Sequence, residues 1–487
     1  MFATIIRKEI LDAMKSFRFL IAVLLCMILI PLGMYVNLRE YQQRQADYQE
    51  AVRLYQQRSN GNIDMDFPAE GYRPPSVLSI FSVGLEYFLP NKVVTARNGV
   101  LHLSNDQGIN NPQSLLFGKV DLLFNVSFVI SLLALIFTFN LIAGEKEEGT
   151  FRLVMANPVP RWKILLGKIV GNYVVLLVPF LIAILLSLVV LSLSGLVSFF
   201  SSIILPSFLV ILFVSLLFIL AMFNLGILIS TLTHRSITAM VALLFVWTIF
   251  VLSLPRMSPM IAEIIYPVKS PQVLDLEKSL VRENYEKELD KKRREIYDNL
   301  MKELGMGEKG ISVPGRTDEE RAAQLKYDDA KKPLEEEYEQ KINSEIRKLE
   351  GEYYNKRNTQ QALATNLSRL SPVSSYTYVV SGVSATGILE MNNMLDQGQN
   401  FQGEVKENIY DKFIVKSYGG TNGGTATMID WAKGFDPHKT SVPYFQYRPT
   451  SLGDALKEEW VDILLLFLFN VVFFAASYVS FLKYDVR

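Results

Sequence analysis

The chain has 487 residues, 50% of them hydrophobic and 20% charged, with 49 Lys and Arg against 49 Asp and Glu and a mean hydropathy of +0.21. That balance is too apolar for an ordinary soluble protein and too polar for a chain made only of membrane spans, and a net charge of zero gives no argument for nucleic acid. The one cysteine, Cys26, excludes an intrachain disulfide and a cysteine-based metal site, and His102, His234 and His438 show no ligand spacing.

Residues 1–16 come first. Phe2, Ile5, Ile6, Ile10, Ala13, Met14 and Phe17 recur at helical spacing on one face, with Arg7, Lys8, Asp12 and Lys15 elsewhere. A basic amphipathic helix of this kind is expected to lie in a membrane interface. Phe17–Val36 follows, apolar over the roughly 20 residues that a bilayer crossing needs. Glu9 and Asp12 ahead of it, and the lack of a small-residue cleavage site behind it, mark an uncleaved anchor.

The first outer loop is 37–120. Leu38, Tyr41, Gln45, Tyr48, Val52 and Tyr55 alternate three and four apart, so the first span is expected to continue as helix to about Ser59. Gly61–Pro75 is turn-rich, and the apolar Ser76–Pro90 is expected to rest on the membrane surface. Further spans are read at Asp121–Ala143, Ile169–Leu193, Leu205–Ser230, Ile237–Leu254 and Trp460–Leu482, six in all.

Between the fifth and last spans lies the large loop 255–459. Two charged helical stretches, Pro271–Leu304 and Asp318–Leu370, are joined by Gly305–Gly315. In the second, Tyr327, Ala330, Leu334, Tyr338, Ile342, Ile346, Leu349 and Tyr353 recur near the hendecad period of about 3.7 residues. The pair predicts an antiparallel hairpin over 271–370, tens of ångströms long at about 1.5 Å per residue, with a kink or restart at Pro333. Ser371–Gly387, small and nearly uncharged, is expected to dip into or lie on the outer interface. Phe401–Leu452 reads as a small mixed region, with a turn at Gly419–Gly424 and strand-like pieces at Phe413–Tyr418 and Tyr444–Tyr447.

Basic residues set the expected orientation. Arg7, Lys8, Lys15 and Arg18 precede the first span; Lys146, Arg152, Arg161, Lys163 and Lys168 lie between the second and third; Arg235 lies between the fourth and fifth, and Lys483 and Arg487 follow the last. Ser194–Ile204 carries no charge. Both termini, the tail 483–487 included, are therefore expected in the cytoplasm, with the two long loops outside.

Chemistry is sparse. Gly118-Lys119 and Gly167-Lys168 are followed by Val and Ile, so there is no phosphate-cradling G-x-x-x-x-G-K-[ST] loop, and neither G-x-S-x-G nor H-E-x-x-H occurs. Ionisable side chains are nearly missing from the spans after Asp121, which argues against coupling through intramembrane carboxylates. Asn125, Asn140, Asn172, Asn224 and Asn470 remain, as candidates for a substrate path or for hydrogen bonds between helices.

The segment 144–168, GEKEEGTFRLVMANPVPRWKILLGK, is the most informative. Glu145 to Glu148 end the second span with charge, Gly149 breaks the helix, and Thr150 is placed to cap a new one by accepting a backbone N–H. Phe151–Ala156 predicts a short helix offering Phe151, Val154 and Met155 to a partner; Asn157-Pro158 stops it, and Pro160 opens the next helix. A short rigid helix held between two spans can transmit a push; the plainer alternative is an amphipathic linker.

This segment resembles the cytoplasmic signature of permease subunits of ABC-2 type transporters, in which an E-x-x-x-G-T run is followed by P-V-x-R and then by G-K at the third span. NLGILISTLTHRSITAMVALLFVW, from the fourth and fifth spans, resembles the same family, as do the interfacial helix and the six-span plan. The long outer loops resemble those of the gliding-motility and nitrous-oxide-reductase maturation types, and depart from the family's minimal members. The resemblance implies a mainly α fold: a six-span helical membrane domain with an extracytoplasmic helical hairpin and a small mixed α/β region. It implies Phe151–Ala156 as the coupling helix, with Glu145, Gly149, Thr150, Pro158 and Arg161 at the motif positions. It also implies a bacterial inner-membrane location, a second permease copy or paralogue, and a separate cytoplasmic ATPase that binds ATP and Mg, with no cofactor in this chain. The product of that machine is either outward movement of a substrate or movement of the ectodomain against an envelope partner; a non-ABC scaffold would need no coupling helix.

Overall fold

The computed structural model describes residues 2–59, 69–95, 101–105, 118–156, 159–195, 204–305, 318–409, 412–419, 425–431 and 443–483. The expected turns at 61–68, 306–317 and 420–424, Pro158, and residues 484–487 lie outside them. The chain forms two compact units, one of 1–257, 367–406 and 440–487, the other of 258–366 and 407–439.

In the first unit the architecture is helical. An amphipathic helix, Phe2–Met14, is followed by one continuous helix, Phe17–Ser59. Six helices are long and apolar enough to cross a membrane: Phe17–Arg58, Leu122–Glu147, Arg161–Leu193, Ile204–Leu232, Ser236–Ile265 and Trp460–Leu482. The fourth packs against the second, third, fifth and last, and the first lies along the third. Gly226 brings the fourth span so close to the second that a Cβ there would sit 1.9 Å from Thr138 Oγ1, the small-residue approach by which helices associate in lipid.

Two spans are irregular in ways periodicity does not reveal. The second holds a π-helical segment, Asn125–Ile130, and the fifth another, Thr248–Ser253. They are neighbours: Trp247 Nε1 donates to Ser131 Oγ at 2.9 Å, and its ring meets that of Phe128 edge-on. The second span also breaks after Thr138 and resumes only at Ala143–Glu147. Ser230 of the fourth span fills the break. Its hydroxyl accepts from Ile142 N and Ala143 N at 3.1 Å each and donates to Phe139 O at 3.0 Å, which pairs backbone groups that the helix has released.

Several expectations are corrected. Ser76–Pro90 is folded into the protein over part of its length, with Leu78, Ile80, Phe81, Val83 and Leu89 buried and Leu85 and Phe88 exposed. Ser371–Gly387 does not lie flat but follows the dipping alternative: Pro372–Val383 is an inner helix packed against the fourth and last spans, with Tyr376 fully buried, stacked on Phe218 and hydrogen-bonded to Ser215 near the middle of the fourth span. Tyr444–Tyr447 forms no strand. It lies against an antiparallel sheet in order β1-β2-β3, made of β1 (Ala69–Tyr72), β2 (Lys92–Thr95) and β3 (Leu101–Ser104). Gly71 of β1 makes room for the Phe445 ring, 2.4 Å from where a Cβ would be.

The second unit contains the hairpin of Pro271–Glu303 and Asp318–Ser368. Its helices are antiparallel, since the pairs Lys278–Glu350, Tyr285–Tyr338, Arg293–Glu335 and Tyr297–Tyr327 rise along one helix as they fall along the other. Leu274, Leu289, Met301, Tyr338 and Ile342 are buried. The helix runs through Pro333 without interruption, contrary to the expected restart. A separate two-stranded ladder pairs β4 (Phe413–Gly419) with β5 (Thr425–Trp431).

Ser230→Ala is expected to leave two buried N–H groups and a carbonyl of the second span unpaired, at about 1–3 kcal/mol. Thermal unfolding in detergent checks this; an unchanged melting temperature would remove Ser230 from the account of the break.

Candidate functional site

Where the second span gives way to the third, the backbone makes two turns in a few residues. Gly149 adopts φ +77°, a left-handed conformation that ends the Ala143–Glu147 helix at low steric cost. The helix Thr150–Ala156 follows, and after Pro160 the third span begins at Arg161. The Thr150 hydroxyl donates to Glu145 O at 3.3 Å, whereas the sequence suggested that it accepts a cap N–H.

The short helix turns the opposite way from the expected one. Phe151 is fully buried, with its ring edge-on to Phe481 of the last span at 5.5 Å, so it is not offered to a partner. Val154 and Met155 are half-buried against the same core. Arg152 and Leu153 are the residues that face out, Leu153 with 71% of its surface exposed. Spacing defines which residues share a face; it does not say which face the protein itself covers.

Several charged residues of the segment reach other elements. Lys146 Nζ donates to Thr231 O and, at 3.1 Å, to Thr233 O, pairing carbonyls at the end of the fourth span. Glu147 Oε2 accepts from Ser236 N at 2.9 Å, at the first turn of the fifth. Arg161 donates to Leu482 O at 2.7 Å, at the end of the last span. From the first span, Arg18 donates to Asn140 Oδ1 at 2.6 Å, with its guanidinium 4.6 Å over the Phe139 ring.

Glu145 makes the contact with most consequence. Its Oε1 lies 2.6 Å from Lys168 Nζ, which also holds Glu9 Oε1 of the amphipathic helix at 3.0 Å; Asn172 Nδ2 donates to Glu9 Oε2 at 3.1 Å. Lys168, Glu9 and Asn172 are buried. The approach depends on two glycines of the third span. A Cβ at Gly171 would sit 2.7 Å from Glu9 Cβ, and one at Gly167 2.7 Å from Ile5 Cγ2. One lysine thus serves two carboxylates, and the second oxygen of Glu145 is buried with no hydrogen-bond partner among the described residues. Breaking such a cluster by removing its one cation leaves uncompensated buried charge.

Of the asparagines, Asn140 and Asn172 belong to this end, bonded to Arg18 and Glu9. Asn125 donates to Asp121 O at 2.8 Å, and Asn224 donates to Asn470 Oδ1 at 3.0 Å. Sequence reasoning used Glu9 only for the anchor and Lys168 only for orientation and the motif, passed over Ser230, and held the spans to be nearly free of ionisable groups. The structure corrects this, with Lys168 inside the third span and Asp462 inside the last. A signal was present in Glu9, which falls on the apolar face of the amphipathic helix, and in Lys168 between two glycines four apart.

A model of the family described as ABC-2 family transporter protein matches residues 3–486. Among curated proteins, the probable ABC transporter permease protein NosY of Stutzerimonas stutzeri is 41% identical over 56 residues, which are 12% of this chain and 20% of that protein. The chain matches about a fifth of that relative's length.

Lys168→Met is expected to cost about 3 kcal/mol, because the buried Glu9 and the part-buried Glu145 lose their cation. Adding Glu9→Gln and Glu145→Gln restores most of the loss. Chemical unfolding of the variants in detergent tests this, and a triple variant as unstable as the single one would contradict the charge assignment.

Proposed function

The chain belongs to the ABC-2 family of transporter proteins and is a multi-pass membrane permease subunit of that family; from this premise we propose that it couples ATP hydrolysis by a separate cytoplasmic ATPase to outward movement of a substrate. The observation that carries the reading is that side chains of residues 139–161 touch all the other spans. Arg18, Lys168, the Thr231 and Thr233 carbonyls, Ser236 and Leu482 stand for the first, third, fourth, fifth and last, and Glu9 adds the amphipathic helix through Lys168. A force applied there reaches the whole bundle at once.

In this reading the ATPase docks on the outward residues of the Thr150–Ala156 helix, Arg152 and Leu153. Phe151, Val154 and Met155 are the inward anchors that pass the load to the core. Glu145, Gly149, Thr150 and Arg161 shape and fasten the segment, and Pro158 keeps the place the family motif gives it. ATP and Mg belong to the ATPase, and this chain contributes no cofactor site. A second permease copy or paralogue completes the assembly in a bacterial inner membrane, with both termini cytoplasmic and the long loops outside, where an envelope protein can meet them. Asn125, Asn140, Asn172 and Asn224 act as contacts between or within helices, since each is hydrogen-bonded to protein.

Gly149→Pro with Thr150→Ala tests the coupling role, because proline is locked near φ −65° and cannot take the φ of +77° found here. Extraction from the native membrane in mild detergent is expected to recover a stoichiometric ATPase with the unaltered chain and little or none with the double variant, with insertion of both chains intact. Full ATPase recovery and normal transport in the double variant would sink the assignment.

A further inference from the structure

At the end of the last span remote from Leu482, three charged groups meet that the coupling reading does not use. Asp462 is fully buried within the first turn of the Trp460–Leu482 helix, a placement that is costly for a carboxylate unless it is paired. Arg369 supplies the pairing in a two-pronged contact, Nε 3.1 Å from Oδ1 and a terminal nitrogen 2.7 Å from Oδ2. One cation and one anion are then matched.

Glu459 adds a second carboxyl to the same place. It immediately precedes the last span, its carbonyl accepts from Asp462 N at 3.1 Å, and its carboxyl lies close enough to that of Asp462 for each to act on the other. It packs over Gly382 of the inner Pro372–Val383 helix, where a Cβ would lie 3.1 Å from Glu459 Cγ and 3.2 Å from Oε1. Two buried carboxyl groups this close favour keeping one proton, because two ionised ones would repel.

Among the described residues no other cation is paired with these two carboxyl groups. Besides Asp462 and Arg369, Glu458 acts on Glu459 from the preceding turn, and Tyr378 of the inner helix faces Arg369 and shares a hydrogen bond with Ser368 at 2.7 Å. Lys457 is 80% exposed and pairs with Asp454.

We propose that Glu459, Asp462 and Arg369 form a proton-binding site that fastens the inner helix to the last span. With its proton bound, Glu459 donates to Asp462 and the cluster carries no net charge. When the proton leaves, two carboxylates face one guanidinium beside Gly382, and the seat of the inner helix on the last span loosens. Burial first, and then the Asp462 charge, push Glu459 up from 4.5 to about 7, so occupancy changes across neutral pH. In the orientation proposed above this is the outer side, but the site itself does not depend on the transport reading.

The sign of the effect follows from linkage. A carboxyl raised in the folded state binds its proton more tightly there than in the unfolded chain, so its contribution is full below about 4.5 and is lost as pH rises through about 7. The test uses the full chain in lipid nanodiscs. Infrared difference spectra are expected to show a carboxylic acid band that disappears around neutral pH and is missing in Glu459→Gln. The Gln variant keeps a donor toward Asp462 and so is expected to fold. Its melting temperature is expected to stay flat over the interval in which that of the unaltered chain falls. An identical band and an identical melting profile in Glu459→Gln would overturn the proposal, as would the absence of any carboxyl titrating around neutral pH in the unaltered chain.

Discussion

A single ammonium group held between two carboxylates fastens one end of the bundle. Lys168 belongs to the third span, Glu9 to the amphipathic helix and Glu145 to the end of the second, and none has another cation or anion partner among the described residues. Burying three charges is expensive, and an apolar cluster of the same volume could be as stable. What the charges add is register. The lysine can serve both carboxylates only when the amphipathic helix lies in one position along the third span, and Gly167 and Gly171 leave room for that position. The approach of backbone to backbone and the ion pairs therefore specify each other.

The break in the second span makes this fastening matter. A continuous helix would carry residues 143–147 on its own hydrogen-bond ladder. Here the ladder is interrupted over residues 140–143, and neighbours help to hold the short piece beyond: Ser230 at its start, Lys168 through Glu145, and the ends of the fourth and fifth spans through Lys146 and Glu147. Mechanically the segment belongs to those neighbours as much as to its own span. A compact charged loop between two apolar helices is in this light a connector, and its residues are not interchangeable polar ones.

The six spans and the hairpin were legible because their signals are long and periodic: twenty apolar residues in a row, or tyrosines and isoleucines recurring at nearly four over the Asp318–Ser368 helix. The identity of the segment's residues was legible too, through Gly149 and the prolines. Its orientation was not. Phe151, Val154 and Met155 share a face whichever way the helix turns, and only the position of Phe481 more than 300 residues later decides that the face is inward. How deep the inner helix Pro372–Val383 goes was legible only in part, for a related reason. Its serines, tyrosines and valines read as interfacial, yet they are buried against Phe218 and Ser215, partners no local pattern can supply. The π segments and the break at 139–142 depend on side chains reaching across from other helices, such as Trp247 and Ser230, and leave no periodic trace.

The central claim is that the Thr150–Ala156 helix and the amphipathic helix move as one block. The most direct measurement is the distance between spin labels at Leu11 and Ala156, both exposed, in the complex with its ATPase in nanodiscs, before and after ATP is added. The account predicts that this distance stays fixed while the ATPase turns over. A shift of several ångströms between the two labels on ATP addition would show that the lysine does not hold the block together, and would contradict the account.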